Sequence, residues 1–324
     1  RGRSRRSAAG AVLTPVGGNW ERCTPDESDE HRAFCSHLRR IARILCGGRV
    51  RLSHNDHVRI VTWNVNSLPS RMPRMAVWLQ VMKPDVLCLQ ETKIPDEQFP
   101  HDELADLGYQ AVHRGDGRWN GVAILSRVGL DEVVTDLPDV CGFPNDDDAA
   151  EPRFLSAVCG GVQVACVYVP NGRTLDNPHY MYKLRWLSAL HRFAQGPASG
   201  ERPFAILGDF NVAPHDEDVW DIADFAGSTH VSESERVAIR ELVSLGLTDL
   251  TPTISKGKPF TFWDYRAGNF HKGLGMRIDL ILANPAFASA VTATFIDRDA
   301  RKPGTKGTPP PSDHAPLIAD LDLS

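Results

Sequence analysis

Six polar clusters in this 324-residue chain stand at or beside the ends of apolar runs. The most informative is Gly208-Asp209-Phe210-Asn211, which follows directly on Phe204-Ala205-Ile206-Leu207. An apolar run of that length after Pro203 reads as a buried strand. Gly208 is expected to let the backbone turn at its end, leaving a carboxylate and an amide side by side. A carboxylate can take a proton or bind a hard cation, and an amide can donate to an oxyanion. Taken alone, the tetrapeptide is also an ordinary turn sequence.

The other clusters are of the same kind. Asn64 and Asn66 follow residues 58–63, and Gln90-Glu91-Thr92-Lys93 follows residues 86–89. Tyr168-Val169-Pro170-Asn171-Gly172 ends the run 162–169. Arg277-Ile278-Asp279 opens another run, and Ser312-Asp313-His314 precedes the last. Each has a bland reading as a turn former, a cap or a surface ion pair. Those readings would have to hold independently at every place, so the set favours a site built at strand ends.

The donor set is rich in oxygen and lacks a Cys/His cluster, which points to Mg²⁺ or Mn²⁺ rather than zinc. Glu91 with Asn64 or Asp313 would suffice to hold Mg²⁺. Asp279 could orient the His314 imidazole toward a phosphoryl oxygen. Asp209 could deprotonate a water that Asn211 positions, and Asn171 could hold a phosphate oxygen. Together these parts describe metal-assisted phosphodiester hydrolysis by in-line water attack.

The elements that must carry these groups alternate from residue 58 onward. Strands are expected at 58–63, 86–89, 122–125, 154–159, 162–169, 204–207, 260–263, 278–283, 291–296 and 317–321. Gly160-Gly161 joins two of them as a tight hairpin. Met75, Trp78, Leu79 and Met82 form a helical stripe that Pro84 stops, and residues 180–193 read as a second helix. Ser232-x-x-Glu235 is a capping box for a third, ending at Gly246. Many strands with few helices suggest an α/β fold of two packed sheets with helices outside.

Composition is that of a soluble globular protein, with 42% apolar and 24% charged residues. No apolar run approaches the roughly 18–20 residues of a membrane span, so no membrane partner is expected. The seven cysteines lack metal-ligand spacing, and a reducing compartment such as the cytoplasm, beside the nucleoid in a bacterium, fits them best. Residues 1–57 carry eleven Lys/Arg against six Asp/Glu, and the remaining 267 carry 25 against 35. The division near 57 separates an Arg-rich, poorly ordered extension from a single catalytic domain, 58–324. The extension weakly resembles an organellar transit peptide over residues 1–20, although a disordered tail is the simpler reading. A natural start near residues 50–58 is a further expectation.

The order Trp-Asn-Val-Asn, Leu-Gln-Glu-Thr-Lys, Tyr-Val-Pro-Asn-Gly, Gly-Asp-Phe-Asn, Arg-Ile-Asp and Ser-Asp-His resembles the exonuclease III family of apurinic/apyrimidinic endonucleases. That family lies within the endonuclease/exonuclease/phosphatase superfamily. The resemblance covers about residues 58–322 and leaves the extension unexplained. It implies a four-layered sandwich of two packed mixed β-sheets flanked by helices. It also implies that Glu91 binds metal, with Asn64, Asp209, Asn211, Asp313 and His314 around the metal or phosphate. Asp209 takes the general-base role and His314, paired with Asp279, the phosphate contact. Tyr168 is assigned phosphate binding or proton transfer. Asn66 stands where some relatives carry an Asp ligand, a departure at one metal position.

The implied activity is Mg²⁺-dependent incision of double-stranded DNA 5′ to abasic sites, with 3′-5′ exodeoxyribonuclease and 3′-phosphatase or phosphodiesterase action on blocked 3′ ends, by a monomer. The segments 260–265 and 274–276 would wall a pocket for the base-free sugar through Phe262, Trp263 and Met276. Extruding a baseless nucleotide costs less than flipping an intact one. Phe262 and Trp263 could equally be strand core. Lys93, Arg118, Asn120, Arg173, Lys256, Lys258 and Lys272 are candidate phosphate contacts. Two other readings stand beside this one. A phosphodiesterase for lipid or inositol phosphates would keep the chemistry and change the substrate. A non-catalytic DNA-binding protein would be expected to lose one of Glu91, Asp209, Asp279 or His314, and all are present.

Overall fold

The computed structural model describes residues 13–16, 19–22, 57–117, 119–138, 140, 143, 150–253, 257–305 and 307–324. Arg118, Lys256 and most of the Arg-rich extension lie outside them. The chain divides into two compact units, Arg1–Arg51 and Leu52–Ser324. In the first, Leu13–Val16 and Asn19–Arg22 pair as an antiparallel hairpin.

In the second unit the strands are β1 (His57–Asn64), β2 (Val86–Gln90), β3 (Gln110–Arg114), β4 (Val122–Ser126), β5 (Asp131–Val134) and β6 (Phe154–Cys159). They continue as β7 (Val162–Tyr168), β8 (Phe204–Asp209), β9 (Thr248–Asp249), β10 (Asp279–Ala283), β11 (Val291–Ile296) and β12 (Leu317–Asp322). One six-stranded sheet runs β11-β12-β1-β2-β4-β3 and the other β9-β10-β8-β7-β6-β5. Both are mixed, with β1/β2 and β7/β8 parallel and the remaining pairs antiparallel.

Helices α1 (Leu68–Met82), α2 (His101–Asp106), α3 (Pro178–Ala198), α4 (Glu233–Ser244), α5 (Asn269–Lys272) and α6 (Pro285–Ala290) complete the unit. The inner faces of the sheets meet through Ile60, Val86, Cys88 and Ile124 on one side and Ala157, Cys166, Leu207 and Ile281 on the other. The alternate residues face outward. Val61, Trp63, Leu87 and Leu89 pack on Met75, Trp78 and Leu79 of α1. Val167, Phe204, Ile206 and Leu280 pack on Trp186 and Leu190 of α3 and on Leu242 of α4. This is the four-layered sandwich. Strands covered on both faces explain why the sequence shows continuous apolar runs rather than alternation.

Local signals set the helix ends. Lys83 closes α1 in a left-handed conformation, its N–H donating to Leu79 O at 3.0 Å, and Pro84 follows. Both halves of the capping box, Ser232 and Glu235, are formed at α4. Gly160 and Gly161 turn the β6–β7 hairpin with φ of 57° and 85°. Residues 260–263, expected as a strand, form none. The backbone there divides its hydrogen bonds between Met276 and the segment 313–315, so no ladder develops. Three strands lack a sequence signal because they lie at or near sheet edges: β3, half-buried; β5, exposed throughout; and the two-residue β9.

The topology gathers the polar strand ends. In the parallel pairs, Asn64 lies opposite Gln90 and Asp209 opposite Tyr168. In the antiparallel pair β8/β10, Asp209 lies opposite Asp279. C-terminal ends of parallel strands and N-terminal ends of antiparallel ones therefore share one rim of the sandwich. Gly208 does not turn the chain out of β8, which continues through Asp209. It allows close approach instead: a Cβ at Gly208, where φ is 155°, would lie 1.9 Å from Val167 O on β7.

Candidate active site

Asn64 is the hub of the rim. It is fully buried at the end of β1, and its Nδ2 donates to Glu91 Oε1 at 2.8 Å and to Asp209 Oδ2 at 2.9 Å. Its Oδ1 accepts from the Asn66 backbone N–H at 2.9 Å. Ser312 Oγ ties the segment before β12 to the end of β1, its neighbour in the same sheet, donating to Asn64 O at 2.7 Å and accepting from His314 N at 3.1 Å. Trp63 Nε1 adds a bond to His314 O at 3.2 Å.

Glu91 follows β2 in a left-handed conformation, φ 54°, unusual for a glutamate and costing about 1–3 kcal/mol. Main-chain bonds hold the loop: Ser67 N to Glu91 O at 2.7 Å, and Lys93 N to Asn120 O at 3.0 Å. Asn66, Lys93, Asn120, Arg173 and Asn211 share positive φ. Backbone strain thus collects around the rim, where pre-organised functional groups are held.

Asp209 is buried, with Oδ1 accepting from Asn211 N at 2.9 Å and Oδ2 lying 3.8 Å from His314 Nε2. Burial, then the neighbouring Asp279 and Glu91 charges, raise its carboxyl to about 7 against the opposing His314. Burial alone would lower His314. The Asp279 carboxylate, 2.8 Å from Nδ1, and the charge of Asp209 raise it instead to about 10. His314 is therefore an imidazolium, a donor at both nitrogens. Glu91 is held below its ordinary value, because Lys93 and Asn64 more than offset its burial.

Tyr168 ends β7 half-buried beneath the Arg153 guanidinium, 4.6 Å from the ring centroid. Burial, then Glu91 and Asp209, push the phenol well above its ordinary value despite Arg153. It stays protonated and acts as a donor. Asn211 Nδ2 donates to Val169 O at 3.0 Å, and its Oδ1 accepts from the exposed Asn171 at 3.2 Å. Asp313 Oδ1 accepts from Asn66 Nδ2 at 3.0 Å, and Asn66 Oδ1 accepts from Lys93 Nζ at 2.6 Å. Lys93 also pairs with Glu91 Oε2 at 2.7 Å.

Oxygen or nitrogen atoms of Glu91, Asp209 and His314 lie within 4.8 Å of one another, the distance expected around a shared cation. His314 holds protons on both nitrogens, which leaves the oxygens as donors. Oxygen donors such as Glu91 and Asp209 fit a hard divalent cation better than a thiophilic one.

The structure brings together Asn64, Asn66, Glu91, Lys93, Tyr168, Asn171, Asp209, Asn211, Asp279, Asp313 and His314. Arg173 is exposed beside Asn171, its N–H donating to Asn171 Oδ1 at 3.1 Å. Phe262 reaches the rim, its ring 4.9 Å from that of His314, and Met276 packs behind it with Val219 and Ile278. Trp263 does not reach it. It is 0% exposed and packs with Phe260, Phe270 and Ala315. Lys258 donates to Val219 O at 2.9 Å and Trp220 O at 3.2 Å and is tied down, whereas Lys272 is exposed. Sequence reasoning missed Arg153, which follows no motif, and Thr261, whose hydroxyl accepts from Asp279 N at 3.1 Å.

Residues 61–314 match the model of the endonuclease/exonuclease/phosphatase family. The chain belongs to that family. The matched span begins inside β1 and ends on His314, so it contains every element of the rim. Over 82% of its length the chain is 29% identical to the whole of exodeoxyribonuclease III of Haemophilus influenzae. Among solved structures it is similar to the 3′-5′ exonuclease NExo of Neisseria meningitidis, with 38% identity and a TM-score of 0.74. That match covers 82% of this chain and 100% of the other. It is also similar to an AP endonuclease of Archaeoglobus fulgidus, with 35% identity, a TM-score of 0.73, and coverage of 82% and 99%. It is a phosphodiesterase of the exodeoxyribonuclease III type.

Proposed function

We propose that the protein is a Mg²⁺-dependent DNA-repair nuclease that hydrolyses the phosphodiester 5′ to abasic sites. It also acts as a 3′-5′ exodeoxyribonuclease and removes phosphates and other blocks from 3′ ends. The observation that carries the reading is Asp209, buried and set between Asn211 and the His314–Asp279 pair. A carboxylate held there by the Asn211 N–H, beside an oriented imidazole, is placed to take a proton from water. The names of similar proteins support DNA as the substrate: an exodeoxyribonuclease III, a 3′-5′ exonuclease, a 3′ phosphatase bound to a product DNA hairpin, and an AP endonuclease.

Glu91, Asp313 and the Asn64 amide oxygen would hold the Mg²⁺, with Mn²⁺ as a substitute. When bound, the ion neutralises charge that builds on the phosphate. The protein's own groups do the rest. Asp209 takes the proton, and Asn211 orients the water through its amide. His314, locked by Asp279 with Nε2 toward the site, donates to a phosphoryl oxygen. Tyr168 and Asn171 supply further donors to the phosphate. Phe262, backed by Met276, offers an apolar wall to a sugar without a base. The test uses a duplex bearing one abasic analogue, incubated with the full chain in Mg²⁺ and in EDTA. Incision 5′ to the lesion in Mg²⁺ alone is expected, and intact DNA in both refutes the proposal.

A further inference from the structure

Lys183 and Glu235 form an ion pair with both side chains 0% exposed, on α3 and α4. Lys183 lies on the apolar stripe of α3, three and four residues before the buried Trp186 and Leu187. All three ammonium protons have partners: Glu235 Oε1, Asn211 O at 2.6 Å and Asn171 O at 3.3 Å. Glu235 is equally saturated. Its Oε1 also accepts from Thr229 Oγ1 at 2.7 Å and His230 N at 3.0 Å, and its Oε2 accepts from Ser232 N at 3.1 Å and Ser232 Oγ at 2.5 Å.

Among the described residues, the Lys183 ammonium and the Glu235 carboxylate are fully occupied by protein partners. Through Lys183 the cluster holds two main-chain carbonyls, and they belong to Asn171 and Asn211. A further donor reinforces the second: His230 Nδ1 lies 2.5 Å from Asn211 O. A carbonyl only accepts, so that His230 nitrogen carries the hydrogen. Thr229 Oγ1 lies 3.1 Å from Asn171 O and shares its one proton between that carbonyl and the nearer Glu235 Oε1.

Apolar side chains of similar volume would join two helices at lower desolvation cost than a buried ion pair. They could not hold two loop carbonyls at fixed positions. We propose that Lys183 is a positioning residue: its ammonium, fixed by Glu235, clamps the Asn171 and Asn211 main chains and so sets where their amides meet phosphate and water. The Asn211 backbone, at φ 50°, is in a conformation that needs such support. The inference rests on the proposed roles of the two asparagines.

The test is a double-mutant cycle on the full chain, with kcat and KM measured on a 3′-recessed duplex in Mg²⁺. Lys183→Met is expected to lower kcat by about 10–100-fold, with KM kept within about threefold. In an Asn171→Ala/Asn211→Ala background the same change should cost less than about threefold, because both of its routes to the reaction are already gone. Equal losses in the two backgrounds, or unchanged kcat in a folded variant, overturn the inference. If Lys183→Met does not fold, Thr229→Val is paired with Asn171→Ala, since it removes one hydroxyl and keeps the ion pair. A loss of about 3–10-fold that vanishes in Asn171→Ala supports the clamp, and an additive loss overturns it. An inert wild type refutes the proposed function and the inference with it, whereas an active wild type with additive losses refutes the inference alone.

Discussion

Gly208→Ala gives a sharp test of how the strand ends are held. The added methyl carbon would lie 1.9 Å from Val167 O and 2.9 Å from the carbonyl carbon of the same residue. Carbon–oxygen contacts relax at roughly 3.3 Å, so β7 and β8 would have to part by about 1.4 Å. The obstacle is main chain, which cannot swing aside like a side chain. Overpacking of this kind costs about 1–3 kcal/mol. Holding alanine at φ 155° adds to that, for a total of about 3 kcal/mol. The next residue is Asp209, paired with Tyr168 across the same two strands. Moving it by about 1 Å should lower the rate by roughly a hundredfold. Urea denaturation and single-turnover cleavage of a 3′-recessed duplex read the two effects. Gly161→Ala is the control: nothing lies within 4 Å of its Cβ, so only the cost of φ 85° remains and the rate should hold. Gly208→Ala within about 0.5 kcal/mol of wild type and within about threefold in rate would refute the close-approach argument.

Phe262→Ala should lower kcat/KM for abasic incision about tenfold more than for 3′-exonuclease action, since only the first needs the apolar wall. Equal losses on the two substrates would remove Phe262 from substrate choice. His113 gives a stability prediction with a definite sign. Burial lowers it to about 4, against an ordinary 6.5, although Asp96 Oδ1 lies 2.7 Å from Nδ1. The unfolded chain therefore takes up a proton near 6.5 that the folded chain refuses until about 4. Stability is complete above 6.5 and falls with pH through that window, by up to about 3 kcal/mol. Denaturation at pH 7 and pH 4.5 should show a steeper loss for wild type than for His113→Gln, and parallel losses would contradict it.

The sequence was most legible where chemistry and strand ends coincide. Asn64, Glu91, Asp209 and His314 follow or precede apolar runs, and their convergence needed only that parallel strand ends and antiparallel strand starts share a rim. The double-sided burial of the strands showed itself in runs such as Phe204–Leu207, which do not alternate. Trp263 was ambiguous because aromatic residues next to each other in sequence can enter different clusters. Phe262 joins Met276 and Trp263 joins Phe270, a division made by tertiary bonds to segments 276 and 313–315. The left-handed turn at Glu91 carries no local mark, since glutamate has no preference for it and loop bonds impose it. Gly208 was visible, but its reason was not: the oxygen that excludes a side chain belongs to a strand some forty residues earlier. Lys183 left a faint sign, a lone charge on an apolar stripe, and its partner Glu235 was legible only as half of a capping box.

The central claim is that Asp209 activates water while other groups hold the DNA. Asp209→Asn replaces one carboxylate oxygen by an amide and leaves the neighbouring donors in place. The measurement is binding and cleavage of one abasic duplex in Mg²⁺ by wild type and by this variant. The account predicts an unchanged dissociation constant and a rate lower by about two to four orders of magnitude. Turnover near that of wild type would contradict it and show that another group takes the proton.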